Sequence, residues 1–331
     1  MKAEVLICKA VVCAFLSAVA LAAHAQRPPG LPGGYPAKAV RVLVGTSPGG
    51  GVDTITRGVA QKLSERWGQS FVVENRTGGG GVLAVTLLAQ AAPDGYTLYG
   101  GGSQVVTVTP LRKVPFDTRK ALAPIAQMTS SWYLVLVHPS VQARSVKELI
   151  ALARAKPGAL NYASAGTGSF SHLGTALFAH RAGIEMTHVP YKGNGQALID
   201  LVAGQVQLLF TSTISGSPHV KSGRARVIGV SSPRRLQAFP NLPTVSESGV
   251  PGFELQNMYG IYAPAGVRTA IQQAVSRDVS QIMNSPDVKE RVAADGAEVA
   301  PAGSPAEFAK RFAQEIDLWE RFIKTSGIKV D

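Results

Sequence analysis

Cysteine is nearly absent from the 331-residue chain: Cys8 and Cys13 are the two, and both lie within the first 25 residues. Lys2 and Lys9 give that segment a basic start, residues 10–21 an apolar run, and Ala23-His24-Ala25 the small-residue spacing of a signal-peptidase site. Export with cleavage after Ala25 is expected, because the run is short for a transmembrane helix and no second one follows. No small-residue lipobox precedes Cys13, so a lipid anchor is not expected either. A mature chain without cysteine has no disulfide, no thiolate metal site and no cysteine nucleophile, and its stability must come from its core. The roughly 300 residues that follow the leader suffice for two ordinary domains.

Catalytic signatures are equally scarce. Neither glycine loop, at 47–53 or at 77–81, is followed by the Lys-Ser/Thr pair of a Walker A site. Residues 79–84 fit G-x-G-x-x-A in form, but residues 75–78 separate them from the preceding strand and no acid follows at the required distance. There is no G-x-S-x-G elbow and no H-E-x-x-H. His172, His180 and His188 recur every eight positions, which does not make neighbours on one helix face at metal-ligand spacing. No cofactor and no metal are expected. The formal net charge of +12 is scattered, and its densest patches, Arg224-Ala225-Arg226 and Arg234-Arg235, lack interleaved aromatics. That pattern suits small anions and argues against nucleic acid.

What the chain does have is a regular alternation of apolar strands and amphipathic helices. Strands are expected at 40–44, 71–74 and 96–99, with helices at 53–67 and 81–91 between them; Ile55, Val59, Leu63 and Trp67 mark the buried face of the first helix, which Gly68 closes. This βαβαβ grammar predicts a parallel sheet with helices on both faces. It recurs as strands at 133–137, 160–163, 185–189, 206–210 and 226–230 with helices to 155, at 169–181 and at 195–203. Ser145 to Glu148 forms a capping box, as does Ser304 to Glu307 with Pro305 at the first helical position. A strand at 255–262 and helices near 268–284, 286–295 and 305–325 complete the chain. Phe308, Phe312, Ile316, Trp319 and Ile323 need a sheet to cover, so the last helices are expected back on the first sheet. The expected organisation is therefore α/β with two domains, 26–130 plus 256–331 and 131–255, crossings near 128–135 and 250–257, and a cleft between.

Two similar loops are the strongest site candidates. Ser47-Pro48-Gly49-Gly50-Gly51-Val52-Asp53 joins strand to helix in the first unit, and Ala165 to His172, with Gly166, Thr167, Gly168, Ser169 and Ser171, does so in the second. Helix N-termini at the carboxyl ends of parallel strands present unpaired N–H groups to an anion. Asp53 reads either as a cap or first-turn acid of its helix or as an ammonium contact. A third loop, Pro190-Tyr191-Lys192-Gly193-Asn194-Gly195, opens another helix; Tyr191 and Lys192 either add an aromatic wall and a charge or belong to a surface turn. Ser103, after Gly100-Gly101-Gly102, lies at the same end of the first sheet, and Ser212 and Thr213 are weaker candidates.

In these residues the chain resembles the Bug, or TctC-like, periplasmic solute-binding proteins of tripartite tricarboxylate transporters. The similarity runs through Tyr35-Pro36, Pro48-Gly49-Gly50 with Asp53, Val73 to Arg76, Pro93 to Leu98, Glu148 to Ile150, Asn161-Tyr162, Ala165 to Ser169 with His172-Leu173, His188 to Gly193, Leu242 to Val245 and Ala263 to Gly266. It implies a two-domain periplasmic-binding-protein fold of type II, monomeric, closing on a small carboxylate or amino acid without chemistry and delivering it to membrane transporter subunits. A sensing role beside a membrane sensor, or an exported enzyme on the same scaffold, would present a similar chain. By position the resemblance puts residues 46–50 with Asp53, and 166–169 with His172, on the carboxylate, with 190–193 bordering the cleft. Thr46, Met258 and Thr211 depart from the family pattern, where an aromatic, a Trp and an acid are usual, and Thr46 should make the pocket wall more polar or roomier.

Overall fold

The computed structural model describes residues 34–111 and 113–326, so the expected leader and its cleavage site lie outside the described residues. Strands β1 (Val40–Val44), β2 (Phe71–Asn75) and β3 (Thr97–Gly101) pair in parallel with β1 in the middle. Helix α1 (Gly51–Trp67) connects β1 to β2 and ends at Gly68, whose φ of 63° supplies the left-handed turn that glycine adopts without a Cβ clash. A 3-10 turn at Gly79–Gly81 leads into α2 (Val82–Ala89), later and shorter than the expected 81–91.

The segment after β3 was not legible as structure. It forms α3 (Gln104–Leu111), the short α4 (Thr118–Ala121) and β4 (Leu122–Val137), a 16-residue strand where only 133–137 was expected. Helix α3 is rich in valine and threonine and contains Pro110, a local pattern that favours extended chain. Burial of residues 104–108 makes it a helix by packing instead. Strand β4 contains Pro124 and two register shifts, at 124–126 and 127–129, which erase the alternation a strand normally shows.

Strand β4 belongs to both sheets. Its residues 122–132 pair antiparallel with β9 (Gln256–Pro264), which in turn lies antiparallel beside β3. Its residues 133–137 pair with β7 (Leu208–Ser212) on one side and β8 (Arg226–Val230) on the other. Strands β5 (Asn161–Ser164) and β6 (Thr187–Pro190) extend the second sheet in parallel with β7. Helices α5 (Val146–Ala155), α6 (Phe170–Ala182), α7 (Asn194–Val202) and α8 (Thr213–Lys221) flank it. Helix α8, with Gly216 and Pro218 inside, was not expected from sequence; Ser212 caps it by accepting from the Ser215 N–H. The order β2-β1-β3-β9-β4-β7-β5-β6 joins two α/β lobes through one shared strand.

Helices α9 (Thr269–Met283), α10 (Pro286–Ala294) and α11 (Pro305–Ser326) follow β9, and the two-residue strand β10 (Glu298–Val299) pairs with β4. Helix α11 does return to the first sheet, burying Phe308, Phe312, Ile316 and Trp319. Its N-terminus carries the expected capping box: Glu307 N–H donates to Ser304 Oγ and Ser304 N–H to Glu307 Oε2. Burying one such aromatic side chain contributes about 1.5–3 kcal/mol, so this stripe alone fixes the helix on the sheet.

Candidate functional site

The parallel strands of both sheets end at the seam between the lobes, and each hands over to a helix there. Helices α1, α3, α6, α7 and α8 all start at one pocket, lined from their first turns by Gly51 and Val52, Gln104, Phe170 and Ser171, Asn194, and Ser215. Tyr133 of β4 and Asn257 and Tyr259 of β9 line the side where the shared strands run. The cavity is about 40 Å³, small because the lobes are closed over it. Among the described residues, none lining it is charged.

The seam is closed backbone to backbone. Gly51 N–H in the first lobe donates to Ser215 Oγ in the second at 2.6 Å. A Cβ on Gly195 would sit 2.4 Å from the Pro48 carbonyl and 3.0 Å from Ser47 Oγ; one on Gly80 would sit 2.7 Å from the Thr167 carbonyl. Such distances leave no room for a side chain, so glycine at these positions is what allows the lobes to meet.

Of the residues singled out from sequence, Thr46, Gly50, Ser169 and Ser171 line the pocket. Thr46 Oγ1 is buried without a hydrogen-bond partner, while its carbonyl accepts from Asn75 Nδ2 at 2.8 Å. Ser47 is buried with its hydroxyl unpartnered and packs under Gly193, where a Cβ would lie 2.4 Å from Ser47 N and Oγ. Pro48 and Gly49 are exposed on the outside of the loop. Gly50 is the N-cap residue of α1 and offers no side chain to its N–H groups. Asp53 faces away from the pocket's lining: it accepts from Gly49 N–H at 3.0 Å, from Asn75 Nδ2 at 2.8 Å and from Arg57 Nε at 3.0 Å. Those contacts make it the first-turn acid that braces its own loop.

The second loop is held by neutral groups. Ser169 caps α6 by accepting from His172 N–H at 3.3 Å and lies 3.2 Å from Ser171 Oγ. His172 Nδ1 accepts from Gly168 N–H at 3.1 Å, which requires that nitrogen to be unprotonated. Gly166 has φ 117° and packs against the Tyr191 carbonyl, and Thr167 meets Gly80 through its own carbonyl. Beneath the loop His172 stacks on His188 with ring centroids 4.0 Å apart, and His188 Nε2 reaches Ser164 Oγ at 2.6 Å. Burial, with the neighbouring His172 adding to it, pushes the His188 imidazole down to about 4.

The remaining candidates stand one layer back. Ser103 Oγ accepts from Met258 N–H, and Ser103 N–H donates to Asn257 Oδ1, both at 2.9 Å, so this residue sets the orientation of the Asn257 amide. Tyr191 donates to Asp200 at 2.8 Å; burial and that carboxylate push its phenol up to about 12. Lys192 is exposed and Gly193 begins α7 at the seam. Thr211 accepts weakly from Asn194 Nδ2 at 3.4 Å, behind the pocket. Met258 lies between Asn257 and Tyr259, and strand alternation turns it to the opposite side.

Sequence reasoning did not assign Gly80, Gln104, Tyr133, Ser215, Asn257 or Tyr259 to the site. The glycine run at 79–81 was the visible signal for Gly80, weighed against phosphate-loop and dinucleotide patterns. Phe170 and Asn194 lay inside the second and third candidate loops without a role of their own, and Ser215 sits within three residues of a strand-to-helix turn, the same signal that marked the two principal loops.

The arrangement can hold an anion without a cationic side chain. Each helix N-terminus favours negative charge by about 0.3–1 kcal/mol at an exposed site and up to about 2 when partly buried. Several converge here on one pocket. The model of the tripartite tricarboxylate transporter family receptor matches residues 55–328. Protein BugT of Bordetella pertussis is 32% identical over 89% of this chain and 91% of its own. A Rhodopseudomonas palustris protein solved with adipate superposes with a TM-score of 0.85 at 33% identity, covering 89% of this chain and 99% of that one. MatC from the same organism, with bound malate, gives a TM-score of 0.82 at 30% identity over 87% of this chain and 100% of that one. The chain belongs to the tripartite tricarboxylate transporter receptor family, TctC, with the Bug proteins among its relatives, and carries the two-domain periplasmic-binding-protein fold of those solute-binding receptors.

Proposed function

We propose that this receptor captures a small organic carboxylate in the periplasm and releases it to a tripartite tricarboxylate-type transporter, without chemical change. The observation that carries the reading is the convergence of five helix N-termini on a neutral, enclosed pocket. The adipate and malate in the two solved relatives support the same ligand class. In this reading the leader ends at Ala25, residues 26–130 plus 256–331 and residues 131–255 are the two domains, and the monomer closes by hinge motion at β4 and at residues 255–256. No described helix is long and apolar enough to cross a membrane. Three or four charge-assisted hydrogen bonds, at about 1.5–3 kcal/mol each, would cover the roughly 8 kcal/mol of micromolar binding after ordering costs.

The test is titration calorimetry of the mature chain against malate, succinate, adipate, citrate, aspartate and glutamate, each beside its methyl ester. One or more free acids should bind near micromolar while the ester loses at least about 100-fold, since the ester removes the charge the helices favour. Absence of any binding acid, or an ester that binds as well, would overturn the reading.

A further inference from the structure

A second cavity, of about 360 Å³, opens on the far side of Phe170, where α6, residues 252–256 and α11 meet. Three rings form its wall. Phe170 and Trp319 have centroids 4.7 Å apart at 69°, and Trp319 and Phe322 stand 5.5 Å apart at 87°. Successive rings at near right angles make the sides of a box rather than a stack, and Leu177 and Leu255 complete the apolar lining.

Two carboxyl groups, Glu254 and Glu315, face this aromatic wall. Neither takes part in any ion pair among the described residues. Burial, reinforced by the neighbouring Glu254, holds the Glu315 carboxyl above its ordinary value. The Trp319 indole N–H works in the other direction by lying nearby, yet it does not reach hydrogen-bond geometry with any group. Arg181 is the one cation lining the groove; it sits at the exposed edge, with its guanidinium donating to the Gly252 carbonyl at 2.9 Å. A half-buried carboxyl without a counter-ion is costly, and a bound cation would relieve that cost.

We propose that this groove is a second binding site, for a small organic ammonium ion that sets its charge against Glu254 and Glu315 and its apolar body against the rings of Phe170, Trp319 and Phe322. The volume lies in the range of small-molecule sites, and aromatic walls with an acidic group are the chemistry that holds alkylammonium ions. The groove also spans the two lobes, since α6 belongs to one and α11 to the other, so its occupant touches both sides of the crossing. Phe170 lines this groove and the carboxylate pocket alike, which couples the two sites through one ring. Such coupling is reciprocal: whatever the cation does to acid affinity, the acid does to cation affinity.

The test is calorimetry of the mature full chain with choline as the probe, beside 3,3-dimethylbutan-1-ol, its uncharged isostere. The titration is run without any added acid, so binding of choline is read whether or not the other pocket binds a carboxylate. Saturable choline binding at least about ten-fold tighter than the alcohol is expected. Glu315→Gln should weaken choline by about ten-fold and the alcohol little, and Glu254→Gln, at an exposed position that leaves packing alone, should act in the same direction. No saturable binding, equal binding of the two probes, or unchanged affinity in both glutamate variants would overturn the proposal.

Discussion

The loops at 45–53 and at 165–172 look alike in sequence and are built on different physics. Both are glycine-rich, both join a parallel strand to a helix, and both meet at the seam. The first is braced by charge: Asp53 gathers Gly49 N–H, Arg57 and Asn75, and leaves the N-terminus of α1 without a side-chain cap. The second is braced by neutral groups: Ser169 caps α6, and the unprotonated His172 holds Gly168. The first N–H of α1 is taken up across the seam instead, by Ser215 Oγ at 2.6 Å, whereas α6 is capped from within its own loop.

The largest effect should come from keeping the loops apart. Gly195→Ala places a methyl group against the Pro48 carbonyl and Ser47 Oγ, both in the opposite lobe. Acid affinity should fall by at least about 100-fold, with the melting temperature of the unliganded protein little changed, because the atoms nearest the added methyl, the Pro48 carbonyl, Ser47 Oγ and Gly50 N, all belong to the opposite lobe. Small-angle scattering should show a more open particle; wild-type affinity would mean the lobes need not close this tightly.

Breaking the two braces separately should come next, and unequally. Asp53→Ala removes the carboxylate that accepts from Gly49 N–H, Arg57 and Asn75 at a part-buried position, a loss of about 1–3 kcal/mol in stability and roughly ten-fold or more in acid affinity. Ser169→Ala removes one cap, about 1 kcal/mol, and should cost affinity only several-fold. Paired denaturation and calorimetry would check the order, and a larger loss for Ser169→Ala would make the neutral brace the stronger of the two.

The smallest effect on acid affinity is expected at His188 in β6, where the change is a pH dependence of stability. The His188 pKa is depressed in the folded state, so the unfolded chain takes up a proton first, near the ordinary value of 6.5. The contribution of this group is complete above about pH 6.5, declines as pH falls from there to about 4, and is constant below that. His188→Gln should flatten stability across that window, read by chemical denaturation at a series of pH values.

Much of the fold was legible because its signals are local. Gly68 ends α1, the Ser304 capping box starts α11, and the stripe from Phe308 to Trp319 finds its sheet. Helices α3 and α8 and the first half of β4 were not legible, since valine, threonine, glycine and proline argue locally against the structure that burial imposes. The site divides in the same way. Gly50 and Ser169 lie in strand-to-helix turns that the sequence marks, and Thr46 was indicated by the family resemblance, but Tyr133, Asn257 and Tyr259 come from ordinary strand positions with no turn to mark them.

By itself the sequence determined the class of the fold, the two lobes and the two loops, because periodicity, caps and glycine turns act over a few residues. Only the tertiary structure decided that Asp53 braces rather than binds, that five helices share one pocket, and that glycines 80, 193 and 195 form the seam. Those outcomes depend on β4 carrying one lobe into the other, which brings residues more than a hundred positions apart within a few ångströms, and no local pattern records such a distance.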